Sequence, residues 1–338
     1  MKAVVLRGHG GTEVLGFEDV PDPVAGPDEI VVRVASAALN RADLMQRMGL
    51  YPDPFPGAHE IPGLEYAGTV ESCGTRVTLW QPGDRVMGIV SGGAQAEKVV
   101  VHERQAMAVP AGMTLLDAGG VPEVFLTAWD ALVLQGGLTS GRWALVHAGA
   151  SGVGTAAIQV AKAVGARVIA TCSAGKVQAC RDLGADAVVD YGAEDFVAVA
   201  ARVTGGAGVD VVLDVVGGDY TERNVAALAV QGRIIQVGLL AGRAGTFNVG
   251  LLLPKRASII GTVLRPRPLE EKIALTRRFA AEMLPLFDTG ALRPVIDSVV
   301  PVADIAAAHE RLAANASVGK IVLAFERGAA GRTDPVQH

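Results

Sequence analysis

Apolar positions keep one rhythm in the first part of the chain and another in the middle. Up to about Val101 they fall in short runs: Ala3–Arg7, Ile30–Val34, Tyr66–Glu71, Arg85–Val90 and Glu97–Val101. Turn residues separate them, namely Pro21, Pro23, Gly26–Pro27, the proline-rich stretch Tyr51–Pro56 and Gly83–Asp84. Strand-length runs punctuated in this way predict an antiparallel, barrel-like domain. Helical spacing interrupts once, over Arg41–Met48, with Asn40 as candidate N-cap and Gly49 as candidate C′ residue.

From Trp143 the rhythm becomes strand, helix, strand. Apolar runs begin at Trp143, Arg167, Ala187, Val209, Arg233 and Ser258, at intervals of 24, 20, 22, 24 and 25 residues. Each gap holds a helix-length segment, several ended by glycine (Gly165, Gly184, Gly205). Six buried strands alternating with helices predict an α/β fold with a doubly wound, six-stranded parallel sheet covered on both faces. After Pro266–Pro268 a helix over Glu270–Phe287 leads into Pro294–Val300, and a second over Asp304–Ala313 leads into Lys320–Phe325. These elements do not extend the six-strand count and are assigned back to the first domain. The expected domains are therefore 1–122 with 266–338, the tail after 327 being loose, and 123–265.

Composition narrows the class without changing this layout. The chain has 338 residues, 30 Lys and Arg against 35 Asp and Glu, and 50% apolar residues. A net charge of −5 with no single-sign run argues against a nucleic-acid or membrane-surface partner. No apolar stretch approaches the ~18 residues of a membrane span. Strand-like sequence from Lys2 leaves no room for a signal peptide, so cytoplasm is the expected compartment. Cys73, Cys172 and Cys180 form no C-x-x-C pair, which excludes a disulfide framework or a cysteine-rich zinc site.

The motif with most chemistry in it is His147–Thr155, His-Ala-Gly-Ala-Ser-Gly-Val-Gly-Thr. It lies between the first strand of the repeat and an apolar helix, Thr155–Val164. Gly149, Gly152 and Gly154, with Val153 among them, give the small-residue turn that lets backbone N–H groups at a helix start meet a pyrophosphate. An ordinary strand–helix turn is the alternative, and the five further strands favour the dinucleotide. Sites for NAD place an acid at the end of the second strand. Here that strand ends Ala170-Thr-Cys-Ser-Ala-Gly-Lys176, and no acid follows before Asp182. Ser173 and Lys176 instead offer a donor and a positive charge, which suit the 2′-phosphate of NADP(H). The plain alternatives are a helix cap for Ser173 and a solvated Lys176. Tyr191, ending the third strand, is a candidate adenosine-side contact or a surface tyrosine.

With these residues in view the chain resembles the medium-chain dehydrogenase/reductase superfamily, in particular its zinc-free quinone oxidoreductase branch. The resemblance lies in Ala37–Arg47, Ile61–Gly68, His147–Ala157 and Gly319–Val322, and covers roughly residues 1–325. Within the branch, Leu39–Arg47, Tyr51 and Val121–Glu123 resemble the tumour-suppressor-inducible NADPH quinone oxidoreductase group. The resemblance implies a GroES-like barrel domain, a Rossmann domain with the cofactor in the cleft, and a homodimer formed through the Rossmann sheet edge, for which Phe247–Thr262 is the candidate. It places Asn40 and Tyr51 at the nicotinamide cleft, and Tyr51 otherwise reads as a loop residue packed on prolines. It carries Ser151, Thr127 and Val237-Gly238-Leu239 over as cofactor contacts, with Val263-Leu264-Arg265 and Ser317–Gly319 as weaker ones. Ser91–Ala94 is expected to shape the cleft mouth.

At the three places where zinc-dependent relatives hold their metal, the resemblance puts Asn40, Leu64 and Glu123. Leucine has no lone pair and a single carboxylate is not a site, so no metal is expected. Glu65 reads as a buried acid with a structural partner. The six histidines show no metal spacing, and at His147 the backbone is expected to matter more than the ring. A site without a Lewis acid suits an acceptor that already takes hydride readily. The expected reaction is hydride transfer from NADPH to a quinone or an α,β-unsaturated carbonyl, with solvent or Tyr51 giving the proton, in one two-electron step or in one-electron steps. A non-catalytic NADPH-binding sensor or structural protein is the alternative from another class. Lys176→Ala is expected to weaken NADPH binding by about tenfold, the value of one charge-assisted hydrogen bond, and NADH binding much less. Titration of both dinucleotides checks this, and equal losses would remove the 2′-phosphate argument.

Overall fold

The structure is a computed structural model that describes residues 1–55 and 57–325. It divides into two compact units, Met1–Glu123 with the segment from Arg265 onward, and Val124–Leu264. The expected loose tail after residue 327 lies outside the described residues.

In the first unit a seven-stranded sheet runs in the order Ile296–Pro301, Lys320–Ala324, Glu29–Ala38, Glu65–Cys73, Arg85–Ile89, Ala106–Ala108, with Lys98–His102 also paired to Glu29–Ala38. All pairs are antiparallel except Ile296–Pro301 with Lys320–Ala324. The two C-terminal strands thus join the sheet of the N-terminal ones. Lys2–Leu6 and Leu15–Asp19 form a separate two-stranded ribbon. Val32, Val34, Ala37, Tyr66, Val70 and Val86 build the core from the inward positions of three strands. The helix Arg41–Arg47 begins where the Asp43 carboxylate accepts from the Asn40 backbone N–H at 2.7 Å, and it ends at Gly49, whose φ of +74° only glycine adopts cheaply. The long helix expected over 270–287 is two, Leu269–Glu282 and Pro285–Asp288. Pro285 lacks the N–H that would continue the first and starts the second.

The second unit holds six parallel strands in the order Ala187–Asp190, Arg167–Cys172, Trp143–Val146, Val209–Asp214, Leu228–Gln236, Ser258–Gly261. Numbered along the repeat this is 3-2-1-4-5-6, a doubly wound sheet whose order reverses beside the first strand. The fifth strand starts at Leu228, ahead of the expected Arg233, because the chain kinks at Gln231 (φ +66°) and shifts register between Val209 and Val211. One face of the sheet packs Leu145, Ile169, Val212 and Ile234 against Phe196, Val199 and Val225 of two helices. A π-turn over Asp130–Gln135 had no sequence signal. Among the described residues no helix is long and apolar enough to cross a membrane.

Candidate functional site

In the sheet unit the candidate phosphate loop, 147–155, follows the central strand Trp143–Val146. Its geometry demands small residues. A Cβ on Gly154 would stand 2.2 Å from the Ala148 carbonyl oxygen, and one on Gly149 would meet Ala170 at 2.9 Å and the Cys180 sulfur at 3.1 Å. Ala148 itself sits at φ +51°. Ser151 caps the helix Gly152–Ala163, its hydroxyl accepting from the Gly154 N–H at 3.0 Å. Backbone N–H groups at the start of a twelve-residue helix, in a loop whose glycines let backbone come close, fit a pyrophosphate. The His147 ring is fully buried and hydrogen-bonded to Thr171 and Asn224, so here the ring matters as well as the backbone.

The adenosine-side candidates gather at one sheet edge. Ser173 follows the strand Arg167–Cys172, and its side chain makes no capping hydrogen bond to the turn Ala174–Lys176. Ser173 and Lys176 are half-buried. Tyr191 is exposed, and its backbone N–H donates to the Cys172 carbonyl at 3.1 Å, setting it beside Ser173. Val237 and Gly238 continue from the strand Leu228–Gln236, where both N–H groups donate to the Asp214 carbonyl, at 2.7 and 3.3 Å. Leu239 and Val263 are exposed, while Thr127 and Leu264 are buried.

In the first unit a buried polar cluster surrounds Asn40. The Lys320 ammonium, 3% exposed, gives protons to the Leu39 carbonyl (2.7 Å) and Asn40 Oδ1 (2.6 Å) and lies 2.8 Å from Glu65 Oε1. Lysine only donates and a carboxylate only accepts, so the Asn40 amide is oriented: Oδ1 faces Lys320 and Nδ2 donates to Glu65 at 3.0 Å. Glu65 Oε2 accepts from the Glu123 backbone N–H at 2.8 Å. The expected structural partner of Glu65 is therefore Lys320, 255 positions along the chain. Asp43 accepts from the Asn40 and Gly63 N–H groups.

The residues at the zinc positions do not fit zinc. Leu64 has no donor atom, and the ammonium of Lys320 already lies against Asn40 and Glu65. Among the described residues no three His, Cys, Asp or Glu side chains are grouped to hold a metal ion.

Tyr51 belongs to the same unit. Arg265, which sequence reading carried over only weakly, clamps its loop. The guanidinium lies 5.2 Å from the Tyr51 ring centre, Nε donates to the Ser91 carbonyl at 2.5 Å, and Nη2 is 3.6 Å from Asp53. Lys272 donates to the Ser91 hydroxyl at 2.7 Å. No local motif could have announced either cation, since each meets its partners far along the chain. Ser317 is buried, and Gly319 turns at φ +80° with the Val295 carbonyl 2.1 Å from where a Cβ would stand.

Burial governs the protonation of this cluster. It pushes the Asp43 carboxyl up to about 6. It pushes Glu123 up to about 8, with the Glu65 charge adding to the effect. The Tyr51 phenol rises to about 12, through burial first and then the Glu123 charge, with Arg265 opposing.

The family model described as alcohol dehydrogenase GroES-like domain matches residues 26–112, and that described as zinc-binding dehydrogenase matches 183–323. A quinone oxidoreductase of Pseudomonas aeruginosa is 34% identical over 328 residues, covering 95% of this chain and 99% of its own. A solved NAD-dependent alcohol dehydrogenase is 33% identical with a TM-score of 0.86, over 96% of this chain and 100% of its own. A mycobacterial protein solved in complex with NADPH is 31% identical with a TM-score of 0.86, over the same shares.

The raised Glu123 predicts a signed effect on stability. The unfolded chain releases this proton near 4.5 and the folded chain near 8, so its contribution falls as pH rises between those values. Glu123→Gln, which cannot ionise, is expected to flatten the decline. Its melting temperature should gain on the parent's from pH 5.5 to pH 8. Parallel pH dependences would contradict this.

Proposed function

We propose, because the chain belongs to the medium-chain dehydrogenase/reductase superfamily and is a nicotinamide-dependent oxidoreductase, that it takes hydride from NADPH and passes it to a quinone or an α,β-unsaturated carbonyl without a metal ion. The observation that carries this reading is the donor set around Asn40. Leu64 replaces a ligand, and the lysine ammonium of Lys320 stands where a Lewis acid would need free donors. Such a site suits acceptors that need no metal to polarise them.

NADPH is favoured over NADH by Ser173 and Lys176 at the end of the second strand, with no acid following along the chain before Asp182. The phosphate loop Gly149–Gly154, with Ser151 and Val153, would hold the pyrophosphate, and Tyr191 the adenosine side. Thr127, Val237–Leu239, Val263, Leu264, Ser317 and Gly319 are the remaining candidate contacts. When bound, the cofactor supplies a hydride and is left oxidised.

Tyr51 has the role of hydrogen-bond donor to the acceptor oxygen. With its phenol pushed up to about 12 it keeps its proton across the working range and does not act as a base. The acceptor carbon gains hydride, and its oxygen gains a proton from solvent or through Tyr51. Asn40 is a positioning residue in this scheme, since Lys320 and Glu65 hold both ends of its amide.

The proposed homodimer would form through the edge strand Ser258–Gly261. It pairs on one side with Leu228–Gln236, and Val249, Leu253 and Ile259 are exposed around it. The cytoplasm is the compartment this chemistry suits.

The direct test is NADPH oxidation by purified protein, followed optically, with an ortho-quinone, a para-quinone and a simple enone, and NADH as control. Turnover with NADPH on any acceptor is expected. Tight binding with no turnover on all three would favour a sensor. Tyr51→Phe is expected to lower kcat by about a hundredfold, as loss of one donor to a developing oxyanion does. Unchanged turnover would remove Tyr51 from the chemistry.

A further inference from the structure

Four side chains of the sheet unit, His147, Thr171, Asp214 and Asn224, are at most 2% exposed and form one hydrogen-bonded chain. His147 follows the strand Trp143–Val146, and Thr171 and Asp214 lie near the ends of its two neighbours. Asn224 comes from the helix Tyr220–Ala227. The direction of every proton in the chain is forced. Asp214 Oδ1 accepts from the Val216 and Gly217 N–H groups at 2.6 and 3.0 Å, and Oδ2 faces Asn224 at 2.9 Å. A carboxylate only accepts, so the amide presents Nδ2 to Asp214 and Oδ1 to His147 Nε2, 2.7 Å away. His147 must then carry its proton on Nε2. Burial lowers its pKa, leaving the neutral ring with a bare Nδ1, which accepts from the Thr171 hydroxyl at 3.0 Å.

The chain ends at the two segments proposed to hold a dinucleotide. At one end His147 opens the phosphate loop, and the Gly149 N–H donates to the Thr171 carbonyl at 2.8 Å. At the other the Asp214 carbonyl receives the Val237 and Gly238 N–H groups, and the Gln236 side-chain amide at 3.2 Å. Other groups facing His147 take no proton from it. Phe196 and Tyr220 pack edge-on at 4.8 and 5.1 Å. Arg223, whose charge reaches the ring, lies over Phe196 at 4.3 Å and is paired with Asp195.

We propose that Asn224 and Asp214 are positioning residues of the dinucleotide site. Through His147 and Thr171 they hold the phosphate loop in register with Val237–Leu239, so that one bound dinucleotide meets both. The proposal rests on the nicotinamide reading above. It deepens that reading, because it assigns a binding role to residues that need not touch the ligand.

The test is dissociation constants for NADPH and NADH, read by nicotinamide fluorescence on folded variants, with the KM for the acceptor alongside. Asn224→Leu keeps the branching and the number of side-chain heavy atoms and removes both hydrogen bonds. It is expected to raise both dissociation constants by about tenfold or more, the value of an unsatisfied buried polar pair, with the acceptor KM within about twofold. The two dinucleotides should suffer alike, since the chain does not reach the 2′-phosphate residues. Asn224→Asp gives the distinguishing signature. Ionised, it sets acceptor against acceptor at Asp214; protonated, it donates to Asp214 and accepts from His147 as the amide does. Its affinity should therefore recover as pH falls, which a loss of packing alone would not produce. Thr171→Val, with Thr171→Ser as rescue, tests the far end if the Asn224 variants do not fold. Unchanged affinity in the folded variants, a loss confined to NADPH, or an Asn224→Asp defect equal at every pH overturns the proposal. If the parent protein binds neither dinucleotide, the nicotinamide reading fails and this one with it. Binding by the parent with indifferent variants overturns the positioning role alone.

Discussion

Lys320 places a full positive charge inside the first unit, and the surrounding polar structure is arranged to receive it. Its ammonium is 3% exposed and its partner Glu65 is fully buried. Withdrawing two such ions from water costs several kcal/mol each by general measure, and removing one partner alone leaves an unpaired charge worth about 3–5 kcal/mol. The three protons of the ammonium go to Glu65, Asn40 and the Leu39 carbonyl, so none is left unmet. The pair also spans the central strand Glu29–Ala38. Lys320 begins the strand on one side of it and Glu65 the strand on the other. Loss of either charge would therefore disturb the sheet, the orientation of the Asn40 amide and the first turn of the helix Pro122–Trp129, where the Glu123 N–H meets Glu65, together.

The sheet unit solves the same problem without a formal cation. Its strand ends bury a carboxylate, an amide, an imidazole and a hydroxyl in one line. Each donor has one acceptor, which is the condition under which a buried polar network orders a core and does not destabilise it. The phosphate loop beside that line is kept bare by Gly149 and Gly154, at positions where a single added carbon would collide with backbone or core. The loop backbone is thus open to close approach by a ligand while the side chains behind it answer one another.

Periodicity made most of the architecture legible. The six parallel strands between Trp143 and Ser258 could be read because period-two and helical apolar patterns are local properties of the chain. Local chemistry likewise marked the phosphate loop and the missing acid after Cys172. The polar networks could not be read in this way. Glu65 meets Lys320, His147 meets Asn224 and Tyr51 meets Arg265 across gaps that only the folded sheets close. Such contacts leave no periodic trace, and a buried lysine has the same letter as a solvated one. The resemblance supplied Asn40 and Tyr51 as residues of interest, but the amide of Asn40 turns out to be engaged at both ends by the protein itself. The kink at Gln231 and the break at Pro285 moved element boundaries without altering their order.

Taken with its protonation, the first unit's cluster bears on the direction of the reaction. Oxidising an alcohol requires a group that removes a proton, assisted in the zinc-dependent relatives by a metal that acidifies the hydroxyl. Here burial raises Asp43 to about 6, Glu123 to about 8 and Tyr51 to about 12. At neutral pH Glu123 and Tyr51 therefore hold protons. Groups that hold their protons are compatible with the proposed reduction, in which hydride arrives at carbon and oxygen is given a hydrogen bond and then a proton. The cation of Lys320 contributes indirectly. By neutralising Glu65 it spares the cluster a second bare carboxylate, and the remaining burial cost falls on Glu123, which meets it by keeping its proton.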